Sequence, residues 1–382
     1  MNKKLLLSIV SVLLVITIAG WIYFFLTKNK NLEQPTTLPS PSPVVSFNIP
    51  PQKTQEPRFE QLSADWAVKP AIASTSVIFF NRTKGVLKNI SLVLNTKQET
   101  NLSDTIFDNI NTIVWSPNKK MVAFLFTQYD QERISVFDLL QSIQYTLPRY
   151  FKNPVWSVDS KRLAVYHDDP LKNEHFISII QPDGSKEQKL VSMVLPNPTI
   201  LWQTQDTIVF YQKPAPQTAI ANIFQYNLKT KSLSSLPLAI SGAPDQTFFG
   251  FDMLPSPKND FWFFSFTDKN GGGLMTYINQ GNTIIEPPMK TLVQKCVWSD
   301  SGENIYCAYS NALANASNLP FDYWKGRISS SDSFARFNVK TGEFKIYAEN
   351  TGYDAIDLAI SPDESFLVFV NRKDLSLYKM KL

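Results

Sequence analysis

The chain has 382 residues, 43% of them hydrophobic and 13% aromatic, which supplies a substantial core and excludes a chain disordered throughout. Of its 37 basic and 33 acidic residues, Lys3, Lys4, Lys28, Lys30 and Glu33 fall within the first 34. The rest is close to neutral, with no general electrostatic footprint for nucleic acid, and two cysteines exclude a disulfide-stapled scaffold or a four-cysteine zinc site.

The first element is an uncharged apolar run of 22 residues from Leu5 to Leu26. As a helix it measures about 33 Å against a hydrocarbon core of about 30 Å. A cleaved signal peptide is the competing reading, but Trp21 to Phe25 carry the run past the small pair Ala19 and Gly20. The sequence therefore predicts a transmembrane signal anchor at 5–26 behind a cytoplasmic tail at 1–4, with the C-terminal part outside the membrane. Lys28 and Lys30 nearly balance Lys3 and Lys4, so this orientation rests on the short tail rather than on the charge rule. No cysteine follows the run, which excludes a lipoprotein. Such a layout suggests a single-pass protein of a bacterial cell membrane, with the lipid bilayer as one partner.

A Pro-rich linker follows at 27–57. From Pro35 to Pro57 its seven prolines favour extended polyproline II geometry, a spacer of up to roughly 70 Å.

Beyond Arg58 the pattern is all-β: short runs of Val, Ile, Phe, Tyr and Trp between turn residues. A tight turn followed by an apolar strand recurs as WSPNKKMVAFLF from Trp115, WSVDSKRLAVYH from Trp156, WQTQDTIVFYQK from Trp202, PSPKNDFWFFSF from Pro255, WSDSGENIYCAY from Trp298 and ISPDESFLVFVN from Ile360. A worn copy starts at Pro70. Intervals of 41 to 62 residues fit four-stranded propeller blades with loop insertions. The sequence thus predicts a seven-bladed β-propeller over 58–382, with six or eight blades as alternatives. The last unit ends after three strands, and Arg58–Ser63 is placed to supply its fourth and close the ring.

These repeats resemble the WD-like repeat of TolB-type propellers, also found in propeller domains of prolyl-oligopeptidase relatives. The resemblance covers roughly residues 58 to 382. No copy keeps a full Ser-Pro-Asp-Gly turn; Ser116 to Lys119 and Ser361 to Glu364 come closest. The resemblance implies binding to other envelope proteins.

No G-x-S-x-G elbow or other catalytic motif is present. Both histidines lie in one hairpin, 167–175 of blade three. If its strands pair about Leu171, His167, Asp169 and His175 form a weak metal-site candidate, the alternative being a solvated turn. Cys296 and Cys307 flank the blade-six turn symmetrically, so they face each other and either form a disulfide or pack as small hydrophobes. Blade six also carries the longest insertion, 311–332. Its Tyr323, Trp324 and Arg327, with Phe248 and Phe249 from the connection 237–250 and the loop from Lys213, form the candidate binding face. The alternative is that Phe321, Tyr323 and Trp324 cover the blade's own edge.

The function expected is a non-enzymatic, cofactor-free binding module or scaffold of the envelope, engaging protein, peptide or glycan. The alternative is a carbohydrate-active enzyme with paired carboxylates in the channel.

Overall fold

The structure is a computed structural model describing residues 44–46, 52–53, 59–92, 98–194, 196–212, 219–220, 223–236, 248–258, 261–267, 273–281, 283–316 and 318–382. The apolar run Leu5–Leu26, most of the Pro-rich linker, most of the loop from Lys213 and all of 237–247 lie outside these residues. No helix among the described residues is long and apolar enough to cross a membrane.

Seven antiparallel sheets form the blades, at 67–101, 110–146, 151–192, 198–235, 248–286, 296–348 and 355–381. Phe59–Ser63 pairs antiparallel with Leu377–Lys381 and becomes the fourth strand of blade seven, so the first and last described parts of the ring share one sheet. Apolar clusters fill every blade junction, including blade seven against blade one, where Val77, Phe79 and Ile90 meet Val368, Val370 and Leu377. Both faces of each second strand are therefore covered. This is why Phe261–Thr267 is buried at every position and shows no apolar-polar alternation, whereas the outer strand Ser232–Ser235 is exposed throughout.

Two further segments, from the stretch read as the Pro-rich linker, add to sheet edges. Val44–Ser46 runs parallel to Thr283–Glu286 on the outer edge of blade five, and Gln52–Lys53 runs parallel to Phe344–Ala348 on that of blade six. Each sheet edge offers unpaired backbone groups, and a chain passing on its way to blade seven satisfies some of them.

The repeat residues have specific tasks. Trp115 Nε1 donates to the Lys69 carbonyl at 2.8 Å, Trp156 Nε1 to the Val114 carbonyl at 2.9 Å, and Trp298 Nε1 to the Leu254 carbonyl at 3.1 Å. Each indole thus ties an inner strand to that of the preceding blade. Trp202 holds the same position, but its Nε1 has no hydrogen-bond partner among the described residues.

The serine that follows locks the turn. Ser116, Ser157, Ser299 and Ser361 are buried, and each Oγ accepts a backbone N–H from the start of the second strand. The fourth turn position is left-handed in all four copies, with φ of 61° at Lys119, 63° at Ser160, 70° at Gly302 and 56° at Glu364. Loss of glycine from the repeat thus leaves the turn geometry intact but places side chains where they are disfavoured.

Candidate functional site

Inner strands of blades one, two, six and seven converge on a cavity of about 830 Å³ at the end of the channel where the serine-locked turns lie. Its walls mix apolar side chains, among them Ile72, Val114, Trp115, Val297 and Ile360, with the polar Ser74, Asn118, Lys119 and Asp300. A bulge in the blade-one strand holds Lys69 at φ 47°, and one in the blade-seven strand holds Asp357 at φ 52°. These bulges aim the two side chains at each other, with Lys69 Nζ 2.5 Å from Asp357 Oδ1. Lys119 is half-buried; desolvation lowers its pKa, and nearby Asp300 pulls it the other way. Asp300 is the single carboxylate among the described residues lining the cavity.

On the opposite face, the blade-six insertion joins the second strand to the third. Ser310 caps the short helix Asn311–Ala314 by accepting the Leu313 N–H, and a second short helix spans Phe321–Trp324. Leu313, Leu319 and Tyr323 form a buried cluster with Leu274 of blade five and Leu292.

Beneath the cluster lies Lys295, fully buried, with Nζ 2.8 Å from both Asp332 Oδ2 and Asp354 Oδ1. Tyr323 Oη, Ser330 Oγ and the Ala355 carbonyl also lie within hydrogen-bond distance of the ammonium, at 3.1, 3.2 and 2.9 Å, and share its three hydrogens with the two carboxylates. Burial alone would raise the Asp354 carboxyl, but Lys295 and the Tyr323 and Ser330 hydroxyls hold it at about 2. Burial prevails at Asp332, whose pKa is raised despite Lys295. From blade seven, Arg372 sits 4.4 Å over the Tyr323 ring. The insertion is therefore pinned to the ring, and the network reads as structural.

This changes the expected binding face. Tyr323 is buried because its hydroxyl serves Asp354 and its ring serves Arg372. Phe248 is buried against Phe251 and Phe266. Neither presents a surface to a partner, and Phe249 is only half-buried. Trp324 and Arg327 remain at the surface, steadied by Gln294 and Asp322 respectively. Gly250 explains the close fit of the insertion, since a Cβ there would lie 2.2 Å from Pro320 Cδ.

In blade three the register differs by one residue from the expected one. His167 faces Phe176, and His175 faces Asp168. Successive strand residues point to opposite faces, so the two imidazoles separate. His167 joins the side packed against blade two, while His175 bonds Asp168 at 2.9 Å on the side packed against blade four. The trio that comes together is His167, Asp169 and Glu174, replacing the expected His167, Asp169 and His175.

Cys296 and Cys307 are direct cross-strand partners joined as a disulfide, with Cα atoms 4.2 Å apart.

Lys69, Lys119, Lys295, Asp354 and Glu174 went unselected in the sequence. Lys295, a lone charge in the apolar stretch TLVQKCVW, carried the one available signal.

No family model and no curated protein matches the sequence. Among solved structures, an oligogalacturonate lyase in complex with manganese superposes with a TM-score of 0.58 at 13% identity, covering 87% of this chain and 98% of that one. The β-propeller domain of the Trilobed protease from Pyrococcus furiosus gives 0.54 at 12% identity, over 82% and 94%. TolB from Acinetobacter baumannii gives 0.44 at 11% identity, over 82% and 78%. The first two are alike in fold, and at these identities the likeness extends no further.

Proposed function

We propose that this protein is a membrane-tethered, extracytoplasmic binding module of the cell envelope that holds a protein or peptide segment at the turn-side mouth of its channel. The carrying observation is the chemistry of the 830 Å³ cavity: apolar side chains such as Ile72, Val114 and Ile360 interleaved with polar ones, Lys69 paired with Asp357 and Lys119 lying near Asp300. Apolar side chains alternating with lysines suit a protein or peptide segment that carries both apolar and acidic groups, the first gaining from burial and the second from Lys119. Turnover of carbohydrate would need a second carboxylate beside Asp300.

A photo-crosslinking side chain at exposed Pro117 of the full-length protein, in its own envelope, is expected to give a discrete protein adduct that Lys119→Glu suppresses. The same probe at Trp324 serves as the control for the opposite face. Adducts from Trp324 alone, or from neither position, would overturn this placement.

Tethering rests on the run Leu5–Leu26, and the Cys296–Cys307 disulfide favours an oxidising compartment. Full-length protein is expected to resist alkaline carbonate extraction and to be digested by protease added to spheroplasts. Release by carbonate removes the anchor; protection from protease reverses the topology.

A further inference from the structure

We infer that His167, Asp169 and Glu174, at the end of the blade-three hairpin facing blade two, form a binding site for a divalent transition-metal ion of the zinc class. Asp169 and Glu174 are direct cross-strand partners, and His167 lies two residues before Asp169, so all three project from one face. One donor atom from each lies within 4.8 Å of the others. Ligands of a tetrahedral ion with bonds of about 2.1 Å lie about 3.4 Å apart. Glu174 is half-exposed and has the freedom to close that difference.

The imidazole itself is closely held. His167 is 5% exposed, its ring stacked between Tyr150 at 4.3 Å and Phe176 at 4.2 Å. Its Nδ1 lies 2.8 Å from Glu187 Oε1, which also accepts from Ser178 Oγ at 2.8 Å. A carboxylate only accepts, so Nδ1 carries a hydrogen towards Glu187, which leaves Nε2 as the nitrogen directed towards Asp169 and Glu174. That buried Nε2 has no hydrogen-bond partner among the described residues, the nearest Glu174 oxygen being 3.7 Å away. A carboxylate behind a histidine whose other nitrogen faces two acids is the arrangement by which metal-ligating histidines are oriented. Imidazole with two carboxylates suits zinc or manganese better than calcium.

Two contacts compete for Asp169: the Leu171 N–H at 3.2 Å and Lys172 Nζ at 3.7 Å. Lys172 is largely exposed and can turn away to solvent. The competing account of the cluster is a protonated His167 bridging Glu187 and Glu174 with no ion.

Titration calorimetry of the full-length, untagged protein with Zn²⁺ distinguishes them. One ion per chain is expected, with affinity lowered at least 100-fold by Asp169→Asn or Glu174→Gln, 10- to 100-fold by Glu187→Gln, and not at all by His175→Ala. Glu174 is exposed enough for its variant to fold, and circular dichroism verifies this. Stoichiometry below one-tenth in the wild type overturns the site, as does equal affinity in the wild type and Glu174→Gln.

Discussion

Lys295 shows how much a single side chain can decide. Its ammonium balances Asp332 and Asp354, both buried, and through Tyr323 and Ser330 it fixes the insertion against blade seven. Lys295→Met leaves two buried carboxylates without a counter-charge, and a loss of about 3–5 kcal/mol is expected in urea unfolding. Asp354 adds a pH signature. Its folded value of about 2 lies below the ordinary 3.8, so its contribution is complete above about pH 4 and disappears as pH falls towards 2. This amounts to roughly 2 kcal/mol. Asp332, shifted upward, acts in the opposite sense, so Asp354→Asn should flatten the acid decline measured by thermal melting at pH 2 to 5. The indoles allow a paired test at the same scale. Trp156→Phe loses an interblade hydrogen bond of about 1 kcal/mol, while Trp202→Phe loses none. Equal hydrogen-bond penalties, after correction for the common change in size, would contradict the stapling role.

At the level of elements, the hairpin turn and the insertion set what the molecule can present. Gly250 has φ of 61°, and its missing Cβ makes room for Leu319 and Pro320. Gly250→Ala is therefore expected to displace the insertion and destabilise the protein by more than about 1 kcal/mol. Limited proteolysis within 311–332 should accelerate; an unchanged cleavage pattern would show that the segment is held by other contacts. The blade-three hairpin illustrates how finely an element depends on register. Its pairing sets His167 opposite Phe176, and that one-residue difference sends His175 to the other face of the sheet.

For the whole molecule, stability depends on closing the ring. Phe59–Ser63 covers the edge of blade seven, and Phe59 packs on Phe334, Tyr353 and Phe369 across the junction with blade six. Removing residues 1–63 exposes that edge, and aggregation with loss of a cooperative melt is expected. Removing residues 1–57 spares the closing strand and, of the described sheets, takes only the parallel additions at 44–46 and 52–53, so a cooperative melt should persist. A non-cooperative melt for the shorter deletion would assign those additions a structural part in the ring.

The repeat at Trp115, Trp156, Trp202 and Trp298 made the blades legible, because an interblade staple and a locked turn each demand particular residues at fixed spacing. Closure by the strand near Arg58 was legible for a related reason: three strands at one end of the chain leave an edge that only a strand from the other end can fill. The approach of Cys296 to Cys307 also followed from a symmetric hairpin. Sequence could not show that Tyr323 and Phe248 are buried, since an aromatic loop residue reads alike whether it faces solvent or a neighbouring blade. Nor could it choose Glu174 over His175, or gather Lys295, Asp332 and Asp354 from three separate stretches. Local periodicity therefore determined the elements and their order. The sites were decided only in the tertiary structure, because they depend on strand register and on contacts between blades far apart in the chain.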